Sequence, residues 1–175
     1  VLAKLAADLK EIGFGGEDAR LFLDFLEVEE VAAWTPLSAR IVLRVEGEEP
    51  QTLHAFSKGD EVDRVMLPVN TPSCALTGDI ALALNDIKQG SVFVTDVDAD
   101  QVMARARSRG AAAILSASLY PFNLDKSGKD RHREAIQFTT LAPGTELPVF
   151  QISARSKEAI EAALDRARTR GARAR

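Results

Sequence analysis

Asp96, Asp98 and Asp100 alternate in "DVDAD", the spacing of the first three carboxylate ligands of a calcium loop. Such a loop also needs a glycine at its sixth position and a glutamate at its twelfth. Gln101 and Arg107 stand there, so the run reads as a solvated turn between a strand and a helix. The glycine-rich "GFGGED" (13–18) follows a helical pattern rather than a strand and makes no phosphate cradle. The chain has no G-x-x-x-x-G-K-[S/T], no G-x-S-x-G and no H-E-x-x-H. His54 and His132 lie far apart, without a carboxylate or cysteine at ligand spacing, and read as two surface histidines rather than a zinc pair. Cys74 is the single cysteine, so no internal disulfide is possible. Beside Pro72 and Ser73 it reads as a small apolar side chain rather than a nucleophile.

The stretch with the most unusual texture is "YPFNLDKSGKDRHREA", 120–135. It carries the aromatics Tyr120 and Phe122, Asn123, a turn at Lys126–Lys129 and the cluster Arg131, His132, Arg133. Loops this long inside compact domains are often functional. A guanidinium at Arg131 or Arg133 can take a peptide carboxylate through two parallel hydrogen bonds. The candidate partner-binding residues are therefore Tyr120, Phe122, Asn123, Arg131, His132 and Arg133, with no catalytic residue and no metal ligand among them. A self-contained small α/β enzyme is the competing reading, and its site would sit near Asp96 and Ser116–Ser118, at the carboxyl ends of the parallel strands. No pairing of a nucleophile with a base supports that alternative.

The elements that position these residues follow from periodicity. Leu2, Leu5, Ala6, Leu9 and Ile12 recur at helical spacing and Gly13 can cap the helix. In 17–33, Leu21, Leu23 and Phe25 alternate and favour a strand over 19–28, although Phe22, Leu26 and the glutamates also fit a helix. "ARIVLRVEG" (39–47) alternates as a half-buried strand, and 48–64 reads as a hairpin region with a short strand near Leu53. "DIALAL" (79–84) and "SVFVTD" (91–96) predict strands separated by the turn "NDIKQG". Asp98 or Asp100 can cap a helix whose apolar face is Ala99, Val102, Met103 and Ala106, with arginines toward its negative end. Gly110 closes that helix and "AAAILSAS" (111–118) becomes a strand buried on both faces. Strand, helix and strand make one crossover, right-handed by the general rule. Strands are predicted near 135–141 and at 148–152, then a helix capped by Ser156 and stopped by Gly171.

In that order, "GSVFVTD" (90–96), "GAAAIL" (110–115) and "LPVFQISARSKEAIEAAL" (147–164) resemble a protease-associated domain. The upstream "LKEIGF" helix end, Trp34 and the strand after it resemble the lead-in of zinc aminopeptidases of the glutamate-carboxypeptidase and transferrin-receptor type. The likeness spans 78–171, and 1–77 more loosely. It departs at "VDADQV", where such domains often carry an R-G-x-C-x-F segment. It implies an α+β fold: a β-barrel or sandwich with flanking helices and one strand–helix–strand crossover. Residues 78–175 would be the core, and 1–77 a helix and lead-in strands packed on it. It also implies a non-catalytic lid, substrate-selection or interaction module. The partner would be the catalytic peptidase domain of the same chain, with peptide substrate and a homo-oligomer as further partners. The zinc and its ligands would lie in that catalytic domain, and no cofactor is expected within these residues. A free-standing interaction or sorting module is the alternative.

Composition agrees with a globular domain: 46% hydrophobic and 27% charged residues allow a real core. The net charge of −4 favours neither nucleic acid nor an anionic membrane. No apolar run approaches the ~20 residues of a spanning helix. A start on Val1 and an end on Arg175 read as a piece of a longer protein. No targeting segment is legible and the compartment is not fixed, although a secreted or periplasmic parent is compatible.

Overall fold

The computed structural model describes residues 2–12, 34–57, 63–121 and 132–175. The strand predicted over 19–28 and the Gly13 cap lie outside the described residues. So do Phe122, Asn123 and Arg131. The chain divides into two compact units, Val1–Ala33 and Trp34–Arg175. In the first, helix α1 spans Leu2–Glu11, as its 3.6-residue repeat predicts.

The second unit is mixed α/β. Strands β1 (Ser38–Leu43) and β2 (Gln51–Ser57) form a two-stranded antiparallel sheet. Four strands make a parallel sheet in chain order: β3 (Ile80–Ala81), β4 (Val92–Thr95), β5 (Ala113–Ser116) and β6 (Val149–Gln151). Helix α2 (Ala99–Ser108) joins β4 to its parallel neighbour β5, which is the crossover that the sequence predicts. Helix α3 (Ala154–Arg170) follows β6.

The parallel sheet is buried on both faces, and successive residues alternate between two cores. Phe93 and Ile114 pack with Ala99, Val102 and Ala106 of α2. Their neighbours Val94 and Leu115 pack with Ile160, Ala163 and Ala167 of α3 and with Leu43 and Val45 from the hairpin side. That explains the uncharged "AAAILSAS": a strand with helices on both faces has no solvent side for a charge. Asp98 caps α2 by accepting from the Asp100 amide at 3.1 Å. Gly110 then turns the chain with φ 91°, a conformation that a side chain disfavours.

Three local expectations differ from what is observed. "DIALAL" keeps only two residues in the sheet, because Leu84–Asp86 tightens into a 3-10 turn. Residues 135–141 form no strand. Val69 instead bridges Thr140, accepting the Leu141 amide and donating to Thr139 O, both at 3.0 Å. Nearby, Thr71 Oγ1 donates to Val149 O at 2.9 Å and accepts the Val149 amide at 3.0 Å, so β6 ends the sheet without a dangling edge there. Helix α3 begins one turn earlier than predicted, with Ser153 rather than Ser156 as its N-cap.

Beyond α3 the chain turns at Gly171 and pairs with the hairpin side. The Arg44 and Arg175 backbones exchange two hydrogen bonds of 2.8 Å. Glu48 takes Arg166 and Arg170, while Asp79 takes Arg173 and Arg175.

Candidate functional site

The described ends of the 119–134 loop are tied to the framework. Tyr120 is exposed and its amide donates to Gln137 Oε1 at 3.0 Å. His132 and Arg133 are half-buried on the returning end. Arg133 pairs with Glu158 of α3, and its carbonyl accepts the Arg155 amide at 3.0 Å. Arg155 in turn pairs with Glu134. The first turns of α3 therefore form the platform on which this end of the loop rests. Within the predicted site, Tyr120, His132 and Arg133 are the described residues.

The same turn of α3 holds a polar network that sequence reasoning missed. His54, read as a surface residue, is buried with 6% exposure. Strand β2 turns it inward on the same face as buried Phe56, two residues on. Its Nδ1 lies 3.0 Å from Asp63 Oδ2 and its Nε2 lies 2.8 Å from Ser156 Oγ. The Ser153 amide also donates to Nε2, at 3.2 Å. A backbone N–H can only donate, so Nε2 is an acceptor and the ring proton sits on Nδ1, facing Asp63. Asp63 itself sits in the left-handed region, φ 59°. Carboxylate, imidazole and hydroxyl are thus in the order and tautomer of a nucleophile-activating relay. They line a cavity of about 270 Å³ together with Glu134 and Arg155.

Two features of this cluster fit a structural role. Ser156 Oγ accepts a hydrogen bond from Ser153 Oγ at 3.1 Å and is itself buried. Four nearby amides that could stabilise an oxyanion already have acceptors. Ser153 N–H goes to His54, Arg155 N–H to Arg133 O, Ser156 N–H to Ser153 Oγ and Lys157 N–H to Ser153 O. The network satisfies the helix start, whose first amides would otherwise lack partners in a buried place.

The alternative site near Asp96 and Ser116–Ser118 does not assemble a base with a nucleophile. Ser116 Oγ is buried against Val97 O at 3.2 Å and Ser118 Oγ at 3.0 Å, while Asp96 is exposed and 3.7 Å from Lys157. Lys157 is held above the usual lysine range by its hydrogen bond to Glu161, with Asp96 adding to the effect. Asp100 is pushed up by burial and by the neighbouring Asp98 charge, as expected of carboxylates crowded without a cation. Among the described residues no three His, Cys, Asp or Glu side chains converge to hold a metal ion. The zinc implied by the peptidase resemblance therefore has no fitting ligand set among them. No helix among them is long and apolar enough to cross a membrane.

No protein-family model, no curated protein and no solved structure matches this chain.

Proposed function

We propose that the chain is a non-catalytic accessory module of the protease-associated kind, serving a zinc-dependent aminopeptidase domain as a lid or substrate-selecting surface. On this reading the hairpin and the parallel sheet are the two halves of a sandwich-like framework. The 119–134 loop is its contact surface, meeting the catalytic domain or a peptide. The observation that carries the reading is the anchoring of both loop ends: Tyr120 through Gln137, and Arg133–Glu134 through Glu158 and Arg155. A loop fixed at its ends to a rigid scaffold suits recognition. Zinc would belong to the catalytic domain and not to these residues.

Titration of the isotope-labelled chain with short peptides bearing a free carboxylate tests this. Saturable amide shifts are expected at Tyr120, His132 and Arg133, weakened in the Arg131→Ala/Arg133→Ala double variant. Shifts confined to other regions would count against it, as would release of amino acids by the purified chain.

A second reading, a small serine hydrolase, is favoured by one observation, the Asp63–His54–Ser156 order. The occupied amides around Ser156 weigh against it, because acyl transfer draws much of its rate from such donors.

A further inference from the structure

A second cavity among the described residues lies elsewhere, between the β1–β2 hairpin and the parallel sheet, with a volume of about 640 Å³. That falls within the roughly 300–1,000 Å³ typical of small-molecule sites. Its walls include Ile41, Leu53, Ile80, Val92 and Phe150. All five pack against a core cluster, yet each remains only partly buried. Apolar walls from two sheets thus face one another across a gap that neither fills. Leu115 and Ile160, both buried, also line it. One side is the exposed segment 73–77, which belongs to no helix or strand.

The charged side chains around the cavity are of one sign. Arg40, Arg44 and Arg175 line it, all exposed, and no carboxylate does. This is a local reversal in a chain with 26 acidic and 22 basic residues. Arg44 and Arg175 are held side by side by their paired backbones. Arg44 makes no ion pair with another described residue, and Arg40 donates to the neutral Thr52 hydroxyl at 2.9 Å. Arg175 reaches Asp79 at 3.4 Å in a solvent-exposed pair, which is a weak competitor.

We propose that this cavity binds an amphipathic carboxylate, its aliphatic chain between the two sheets and its anionic head at Arg44 and Arg175. Covering the apolar walls removes water from surface that the fold leaves exposed. The guanidiniums supply charge-assisted hydrogen bonds to the head group. The proposal is independent of the accessory-module reading, since it uses no residue of the 119–134 loop.

Cys74 is the chain's only cysteine and lines this cavity, so it reports occupancy directly. The rate of its modification by a small maleimide is measured in the full chain, with decanoate, with decanol and with a short peptide ending in a leucine carboxylate. Decanoate at roughly ten times its Kd should slow modification about tenfold. Decanol should bind more weakly. Arg44→Ala should raise the Kd for decanoate about tenfold, because a charge-assisted contact is lost, and leave that for decanol unchanged. Ala75→Trp, on the exposed segment, should weaken both. The proposal is overturned if decanoate gives no protection, or if decanol protects equally and Arg44→Ala has no effect. It is also overturned if only the peptide protects, or if protection follows protein concentration alone, the sign of a second copy covering the cavity.

Discussion

The parallel sheet and the polar seam at the start of α3 are held together by different physics. In the sheet, Ile114, Val149 and Val94 are almost wholly buried, and each touches neighbours chosen by size and apolarity. In the seam, two pairs of side chains distant in sequence, His54 with Asp63 and Ser153 with Ser156, depend on hydrogen bonds of 2.8–3.2 Å. The sheet tolerates exchange among apolar residues of similar volume, whereas the seam tolerates only groups that keep each donor opposite an acceptor. Scaffold and potential chemistry are thereby separated: residues able to react are used to pin a helix start to a hairpin.

The largest effect expected on either side is a core truncation. Ile114→Ala removes packing against both α2-side neighbours and Val149, and should cost about 2–5 kcal/mol in urea unfolding. A cost below about 1 kcal/mol would mean that the sheet is not the stabilising half. Next comes His54→Ala, which strands the Ser153 amide and the Ser156 hydroxyl in a buried place. It should cost about 1–3 kcal/mol, with His54→Gln recovering part because an amide oxygen can still accept. If the alanine variant is as stable as the parent, the seam does not hold the helix start.

A smaller effect is expected at the turn between α2 and β5. Gly110→Ala places a Cβ in a left-handed conformation and 2.5 Å from Gln89 Oε1. The Gln89 side-chain end can swing away but its Cα, 3.0 Å from the new Cβ, must give slightly, so the cost should lie toward the upper end of the ~1–2 kcal/mol of left-handed backbone, read from the melting temperature.

The smallest effect concerns the surface pairs of the C-terminal turn. The Arg166 hydrogen bond, helped by Arg170, holds the Glu48 carboxyl below its usual range, and Arg173 does the same for Asp79. A carboxylate with a lowered pKa contributes stability above the ordinary carboxylate range and loses it as pH falls through the lowered value. Asp79 is exposed, and Glu48, though half-buried, is held by exposed arginines, so the Glu48→Gln/Asp79→Asn double variant should flatten the acid limb of the stability profile only slightly. The difference should vanish in high salt. A salt-insensitive difference would show that these contacts are not electrostatic.

The contrast also explains what was legible in the sequence. The crossover was readable because its signals are local: Asp98 before an apolar repeat, arginines in the last turn, Gly110, then an uncharged run. The seam was not, because its members are brought together by the pairing of β2 and the return of β6 into α3, and no local window contains them. Two signals were nonetheless present. Alternation over "QTLHAFS" puts His54 on the face of Phe56, and Ser153 precedes the apolar repeat of α3 at the N-cap position. The missing strand at 135–141 has a similar cause: those residues bond across to Val69 and Asn70 rather than into a ladder. Of the loop residues chosen for their chemistry, Arg133 proved to be engaged with the framework through Glu158, so its charge serves anchoring as well as contact.

The central claim, that the reactive-looking groups of this chain serve structure, is tested most directly by exposing it to a fluorophosphonate and mapping adducts by mass spectrometry. A serine hydrolase labelled in parallel confirms that the reagent is active. The account predicts no adduct at Ser156. Stoichiometric phosphonylation of Ser156 that disappears in a folded His54→Gln variant would contradict it.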